Sequence, residues 1–281
     1  MFFKKSICIF GGTGSIGSAL VSEFLKHDPR EIRIFANNEQ ELWETQEHFK
    51  HSDIINYIFG NIRDLDNVDD ALDCVDYAIN CAALKHIPFC EENVINAVYT
   101  NILGLENILR ACKLNMVQFF IHISTDKAVQ PTSVMGATKL IGERLCLSKD
   151  WFTTVSVVRF GNVYGSRGSL IPVIERNLMD GKVVHLTDER MKRYFITAEN
   201  AAKFIINAMT IMDGGEIFVP EMKELFITDV IDEVIRESGI PPSEVTIDII
   251  GKRPGEKLRE RLMTKEENLR KIKRGEVYII K

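Results

Sequence analysis

The sequence predicts an α/β protein with a doubly wound parallel sheet and a smaller C-terminal region, on three observations. Short apolar, β-rich runs alternate with helical patterns at a period of about thirty residues, as when helical crossovers join parallel strands. A glycine-rich turn, Gly11-Gly12-Thr13-Gly14-Ser15-Ile16-Gly17, stands between the first such run and the first helical pattern. The run Phe119-Phe120-Ile121-His122-Ile123 breaks into Ser124-Thr125-Asp126-Lys127 where a buried strand should reach its carboxyl end. That edge is where open α/β sheets bind ligands.

Taken in order, Ser6 to Phe10 reads as the first strand and about Ser18 to Lys26 as the first helix. Glycines at 11, 14 and 17 permit a tight turn, a pyrophosphate against the helix N-terminus, and close packing of helix on strand. Gly11, Thr13, Gly14, Ser15, Ile16 and Gly17 are therefore expected to cradle a dinucleotide; the alternative is a tight turn that binds nothing. Glu31 to Ala36 is the second strand, and its tip should meet the adenosine ribose. Asn37 there is neither a carboxylate for a 2′-hydroxyl nor an arginine for a 2′-phosphate, so charge does not separate NAD from NADP. With no acid to repel the extra phosphate, NADP is the expected cofactor and NAD the alternative.

Asn56 to Phe59 forms the third strand and brings Asn61 and Ile62 near the adenine. Tyr77 to Cys81 is the fourth, and Ala82, Ala83 and Lys85 follow it over the cofactor. A helix from about Asn93 to Leu114 carries Asn101 on an otherwise apolar-periodic face, where it either bridges backbone or supports the site. After the central strand comes a turn at Gln130 to Ser133 and a helix from Met135 through Leu147. Lys139 lies one turn beyond Met135 on the same face, so Thr125, Asp126, Lys127 and Lys139 can converge on one pocket. Asp126 and Lys127 are neighbours, and both can serve one substrate only if the strand has ended before them.

Thr153 to Phe160 is a further buried strand, ending in Gly161-Asn162-Val163-Tyr164-Gly165. Regular alternation then fades. Residues 1–165 are assigned to a dinucleotide-binding domain and 166–281 mainly to substrate, with some segments returning to the sheet. Arg167, Arg193 and Arg253 fall at loop-like positions, either as surface residues or as an anion clamp. Lys265 to Lys273 reads as a charged, solvated helix.

The 281 residues carry a net charge of −5, which argues against a general nucleic-acid or anionic-membrane binder. Six cysteines form no CxxC pair and the histidines show no ligand spacing, so reduced thiols and no metal are expected. No segment has the length of a membrane span, and a cytoplasmic location is expected.

Together GGTGSIG, AALKHIP, TNILG, STDKAVQPTSVMGATKL, RFGNVYGSRGSLIP, MKRYFIT and RPGEKLRE resemble the extended short-chain dehydrogenase/reductase superfamily. Within it they resemble the UDP-N-acetylglucosamine 4,6-dehydratases of surface-glycan synthesis, including CapD-like polysaccharide biosynthesis proteins. The resemblance implies a Rossmann sheet, a UDP-sugar substrate and a homo-oligomer. It implies substrate contacts at Lys85, Asn162, Arg167, Arg193, Arg253 and Glu256, with Lys139 and Asn101 also serving the cofactor. The related dTDP-glucose 4,6-dehydratases carry Thr-Asp-Glu where this chain has Thr125-Asp126-Lys127, so Lys127 points to an N-acetylhexosamine.

The implied chemistry has three steps. Hydride leaves C4 of the sugar for the nicotinamide; Lys127 then takes the C5 proton while Asp126 protonates the departing C6 hydroxyl; hydride finally returns to C6 and a proton to C5. The superfamily's Tyr-x-x-x-Lys reads Met135-Gly136-Ala137-Thr138-Lys139 here, as in a methionine-bearing subgroup, so the base for the C4 hydroxyl is unassigned. Lys139 and Thr125 are expected to supply it. A nucleotide-sugar epimerase or reductase on the same scaffold is the alternative enzyme, and a non-catalytic dinucleotide sensor the alternative class.

Overall fold

The apolar runs become strands because helices cover both faces of the sheet they build. In the computed structural model, which describes residues 1–148 and 151–281, these are β1 (Ser6–Phe10), β2 (Glu31–Ala36), β3 (Ile55–Phe59), β4 (Tyr77–Asn80), β5 (Phe119–Thr125) and β6 (Thr154–Phe160). They lie parallel in the order β3-β2-β1-β4-β5-β6. β1 and β4 are buried along their whole length, as strands covered on both faces must be. The order reverses between them, which opens a crevice at their carboxyl ends.

Helices α1 (Ser15–Phe24), α2 (Glu39–His48), α3 (Leu65–Leu72), α4 (Ile87–Glu92), α5 (Val94–Val98), α6 (Gly104–Leu114) and α7 (Val134–Cys146) make the crossovers. α1 begins at Ser15 rather than near Ser18, directly on the glycine turn. The helix expected from Asn93 to Leu114 is broken: α5 passes through a π-turn at Tyr99–Leu103 before α6, and Asn101 sits in that turn. Such turns are frequent at functional sites. β5 runs on to Thr125, and Asp126–Ala128 then coils into a 3₁₀ turn. The strand has therefore ended where the acid–base neighbours begin.

The later elements are β7 (Asn162–Val163), α8 (Leu170–Asp180), β8 (Val183–Leu186), β9 (Lys192–Ile196), α9 (Ala198–Ile211), β10 (Ile217–Pro220), β11 (Lys223–Phe226), α10 (Ile227–Ser238), β12 (Thr246–Ile249), α11 (Lys265–Arg270), β13 (Ile272–Arg274) and β14 (Val277–Ile280). β10 joins β6 in parallel, and β14 and β13 close that edge antiparallel. The charged C-terminal helix thus stops at Arg270; Lys273 belongs to an edge strand. α9 shares a core with α1 through Ala201, Ile205 and Met209 against Leu20 and Val21. The small sheets β11-β9-β7 and β12-β8 complete the chain, with a separate apolar core around Ile174, Leu178, Val230 and Val234.

Candidate active site

A cleft of about 740 Å³ lies over the carboxyl ends of β1, β4, β5 and β6. Its floor is the glycine turn. A β-carbon on Gly17 would stand 2.4 Å from the Gly11 carbonyl oxygen, so only glycine lets helix and strand come this close. Gly14 caps α1 with extended backbone and no side chain, which leaves the first N–H groups of the helix free for an anion. This cradle fits the pyrophosphate of a dinucleotide. All of the expected cradle residues line the cleft, as do Asn37, Asn61, Ile62, Ala82, Ala83, Lys85 and Lys139.

The catalytic candidates are grouped at the end of β5. Thr125, Lys127, Met135 and Lys139 line the same cleft. Lys127 Nζ donates to Asp126 Oδ1 at 2.9 Å and to Asn162 Oδ1 at 2.9 Å. The Thr125 hydroxyl donates to the same Asp126 oxygen at 2.9 Å. Asp126 itself is fully buried behind these two and forms no part of the cleft lining, and its Oδ2 has no hydrogen-bond partner. An orphaned buried carboxyl oxygen is costly and calls for a proton or a substrate hydroxyl. Met135 is buried among Cys90 and Ala97.

Several expected site residues do something else. Asn101 does not reach the cleft: its amide accepts from Leu84 N at 2.8 Å, donates to Leu84 O at 2.9 Å and bonds Thr138. It fixes the Ala82–Lys85 loop to α7, which is the backbone-bridging alternative. Arg193 lies on β9 instead of a loop, is buried, and donates to the carbonyls of Lys192, Lys257 and Leu258. Those bonds turn it from the expected diphosphate grip into an anchor for the 257–258 segment. Arg167 lines the cleft at the cofactor end rather than the sugar end, bonding the Thr13 carbonyl and pairing with Glu41 at 3.2 Å. Arg253 and Glu256 form a turn outside the cleft wall, with Glu256 Oε2 accepting from Arg253 N at 3.1 Å. That turn docks on the segment before α7, where Thr132 Oγ1 donates to Gly255 O at 2.9 Å.

Three features escaped sequence reasoning. Glu41 reaches the cleft because Asn38 caps α2, accepting from Glu41 N, and so places it in the first turn. Its Oε2 accepts from the Thr13 hydroxyl at 2.8 Å. The strand tip therefore does carry a carboxylate, supplied by a helix; its place in that first turn was the available signal. His122, set aside as one of six scattered histidines, is buried between Asn80 and Lys139. Arg159 on β6 is buried between Glu143 and Glu267, residues far apart in the chain.

The model of the family described as polysaccharide biosynthesis protein matches residues 7–281. An uncharacterized membrane protein of Methanocaldococcus jannaschii is 44% identical over 95% of this chain and 83% of its own length. Among the described residues here, no helix is long and apolar enough to cross a membrane. The inverting UDP-N-acetylglucosamine 4,6-dehydratase of Campylobacter jejuni is 36% identical over 95% of this chain and 80% of its own. A UDP-glucose 4-epimerase of Rickettsia bellii is 37% identical over 100% and 84% respectively. Among solved structures, Pen from Bacillus thuringiensis superposes with a TM-score of 0.96 at 37% identity, covering 99% of this chain and 88% of its own. The dTDP-glucose 4,6-dehydratase DesIV of Streptomyces venezuelae, with NAD bound, shares the fold at a TM-score of 0.84 and 21% identity, covering 94% and 90%. With a dinucleotide cradle, an acid–base pair at the end of β5 and a family match across nearly its whole length, the chain belongs to the polysaccharide biosynthesis protein family.

Proposed function

We propose that the protein is a UDP-N-acetylglucosamine 4,6-dehydratase of surface-glycan synthesis. The observation that carries this reading is the Asp126–Lys127 pair, joined at 2.9 Å just past the end of β5, with Lys127 in the cleft wall. Elimination of water across C5 and C6 needs a base and an acid together. One proton passed from Lys127 Nζ to Asp126 across their contact turns the resting ion pair into a neutral amine and a carboxylic acid, the two forms required. Asn162 holds the amine in place meanwhile. When bound, the dinucleotide accepts hydride from the sugar and later gives it back.

The epimerase reading is favoured by the Rickettsia relative. An epimerase oxidises C4 but breaks neither C5–H nor C6–O, so it has no use for this pair. Incubating the protein with UDP-N-acetylglucosamine decides between them: a 4-keto-6-deoxy product supports the dehydratase, whereas UDP-N-acetylgalactosamine alone overturns it.

For the cofactor, Glu41 favours NAD over the expected NADP. Its carboxylate faces the cleft where a ribose 2′-hydroxyl can donate to it and a 2′-phosphate is repelled. Arg167, paired with Glu41 at 3.2 Å, offsets part of that repulsion. NAD should bind tighter than NADP, by up to about tenfold or about 1.4 kcal/mol. Glu41→Lys should reverse the order, read by calorimetric titration of both dinucleotides; an unchanged ratio sinks the assignment.

On the substrate side, Arg253 is the one of the three expected arginines whose guanidinium is unpartnered among the described residues; it stands outside the cleft wall, so a diphosphate it grips would extend beyond the cleft lining. An exposed apolar band of Phe89, Ile95, Tyr99, Leu103 and Ile141 along α4 to α7 supports a homo-oligomer. All six cysteines are free thiols, in keeping with a reducing cytoplasm.

A further inference from the structure

Lys139 and Met135 both line the cleft, and the thioether of Met135 is no base for a sugar hydroxyl. The hydrogen bonds behind Lys139 specify its protonation state. The backbone N–H of Ala82 donates to Asn80 Oδ1 at 3.0 Å, which fixes the orientation of that amide. Asn80 therefore turns its NH₂ toward His122 Nδ1, 3.3 Å away. A nitrogen facing a donor must be the acceptor, so the imidazole carries its one proton on Nε2. Nε2 in turn faces Lys139 Nζ at 3.2 Å. A donor now meets the lysine, and only a neutral amine has a lone pair to receive it. The same amine donates to the Ile123 carbonyl, which leaves one N–H toward the cleft. An ammonium here would put two donors nose to nose at one of the two nitrogen–nitrogen contacts, inside a buried site where such a clash is unrelieved by water.

The packing is built around this imidazole. A β-carbon on Gly142 of α7 would stand 3.2 Å from His122 Nε2, so the helix is bare where the ring passes. Burial alone pushes the same way, lowering Lys139 to about 8 and His122 well below its usual value. The other titratable groups around Lys139 are Glu143 and Cys146 on its own helix and Cys81 just past β4. Glu143 would favour the ammonium, but its carboxylate is already taken by Arg159 and Ser124.

We propose that His122 and Asn80 form a positioning pair that holds Lys139 as a neutral amine, and that this amine is the base for the sugar C4 hydroxyl. The proposal rests on the dehydratase reading. Rotation about the Cε–Nζ bond turns the lone pair from the imidazole to the incoming hydroxyl and brings an N–H against Nε2–H. The amine thus exchanges one neutral hydrogen bond for the donor–donor contact that also disfavours the ammonium. The C4 hydroxyl gives its proton to Nζ, C4 gives hydride to the oxidised nicotinamide, and the products are a 4-ketone, reduced cofactor and a Lys139 ammonium. Over the full cycle the proton gathered at Lys139 balances the one that leaves Asp126 in water. Thr125, whose hydroxyl already donates to Asp126, is then free only to accept, and shares substrate positioning rather than base work.

The test is a single isosteric change, Asn80→Asp, in the cofactor-loaded protein. Its second oxygen becomes an acceptor facing Nδ1, which pulls the ring proton to that nitrogen and leaves Nε2 as an acceptor for an ammonium. Nitrogen-15 spectra of the histidine rings, with His122 identified by the signals lost in His122→Gln, should show an Nε2–H ring in the parent and an Nδ1–H ring in the variant. In parallel, cofactor reduction on mixing with UDP-N-acetylglucosamine should rise with pH as Lys139 loses its proton. The variant's curve should lie higher by about one pH unit or more. A merely structural role moves amplitude or stability and leaves the midpoint in place. An Nδ1–H ring in the parent, or coincident pH curves, overturns the proposal. If the sugar reduces no cofactor at any pH, the dehydratase reading fails, and the ring spectra still decide the state that Asn80 and His122 impose.

Discussion

Lys127→Ala should still reduce its cofactor on meeting UDP-N-acetylglucosamine, yet make no 4-keto-6-deoxy product. Oxidation at C4 depends on Lys139, across the cleft wall, and Lys127 takes no part in it. The side chain removed is the one whose Nζ bridges Asp126 and Asn162 at 2.9 Å each. Without it no amine stands next to the acid to take the C5 proton. In heavy water the stalled 4-ketone should therefore keep its C5 hydrogen, where the parent exchanges it. General base work of this kind is worth roughly 10²–10⁴-fold, about 3–5.5 kcal/mol of barrier. Asp126→Asn separates the partner role: C5 should exchange with solvent while water loss stalls, because the amide is far too weak an acid to protonate the departing hydroxyl. Two outcomes sink the pair's assignment: product from Lys127→Ala at the parent's rate, or parent product with no deuterium at C5.

What the sequence disclosed about this site follows from how local each feature is. The glycine turn is read correctly because its requirements are met within seven residues, as the 2.4 Å approach at Gly17 shows. The end of β5 is legible for the same reason: a run of apolar residues stops, and polar ones begin. Glu41 was missed because its place depends on helix α2 being capped by Asn38 and rotated toward Thr13, a relation between elements. Arg193 was read as a loop residue since aromatic neighbours resemble a loop flank. In the fold they are strand residues paired with β11, and the arginine faces the carbonyls of a segment some 65 residues later. Asn101 was legible as a buried amide, but only the π-turn shows which backbone it serves. The helical periodicity that suggested one continuous helix there does not record an inserted residue in the ladder.

Arg159→Ala should be the most destabilising single change at this site, and it probes the frame behind the chemistry. The guanidinium is 1% exposed and all five of its donors are used: Nε to Glu143, Nη1 to Glu267 and the Leu262 carbonyl, Nη2 to both glutamates. It thereby joins β6, α7 and α11. Glu143 also accepts from Ser124 Oγ at 2.6 Å, directly before Thr125, and Glu267 accepts from Thr264 N in the capping box of α11. Removing the cation leaves two buried carboxylates facing each other's charge, a loss of about 3–5 kcal/mol. For a chain of this size that lowers the melting temperature by roughly 6–20 °C. Burial pushes Glu267 up, but the hydrogen bonds and charge of Arg159 outweigh it and hold the carboxyl below its usual range. A depressed folded value means the contribution is present above the unfolded value, near about 4.3, and is lost as the pH falls through the folded one. The gap between parent and variant should accordingly be full at neutral pH and shrink in acid. Replacing the whole cluster, as Arg159→Met with Glu143→Leu and Glu267→Leu, should recover much of the loss, since no buried charge is then stranded. If Arg159→Ala melts within about 2 °C of the parent at neutral pH, the cluster is not what fixes the end of β5. Lys127 and Asp126 would then owe their alignment to the 3₁₀ turn alone.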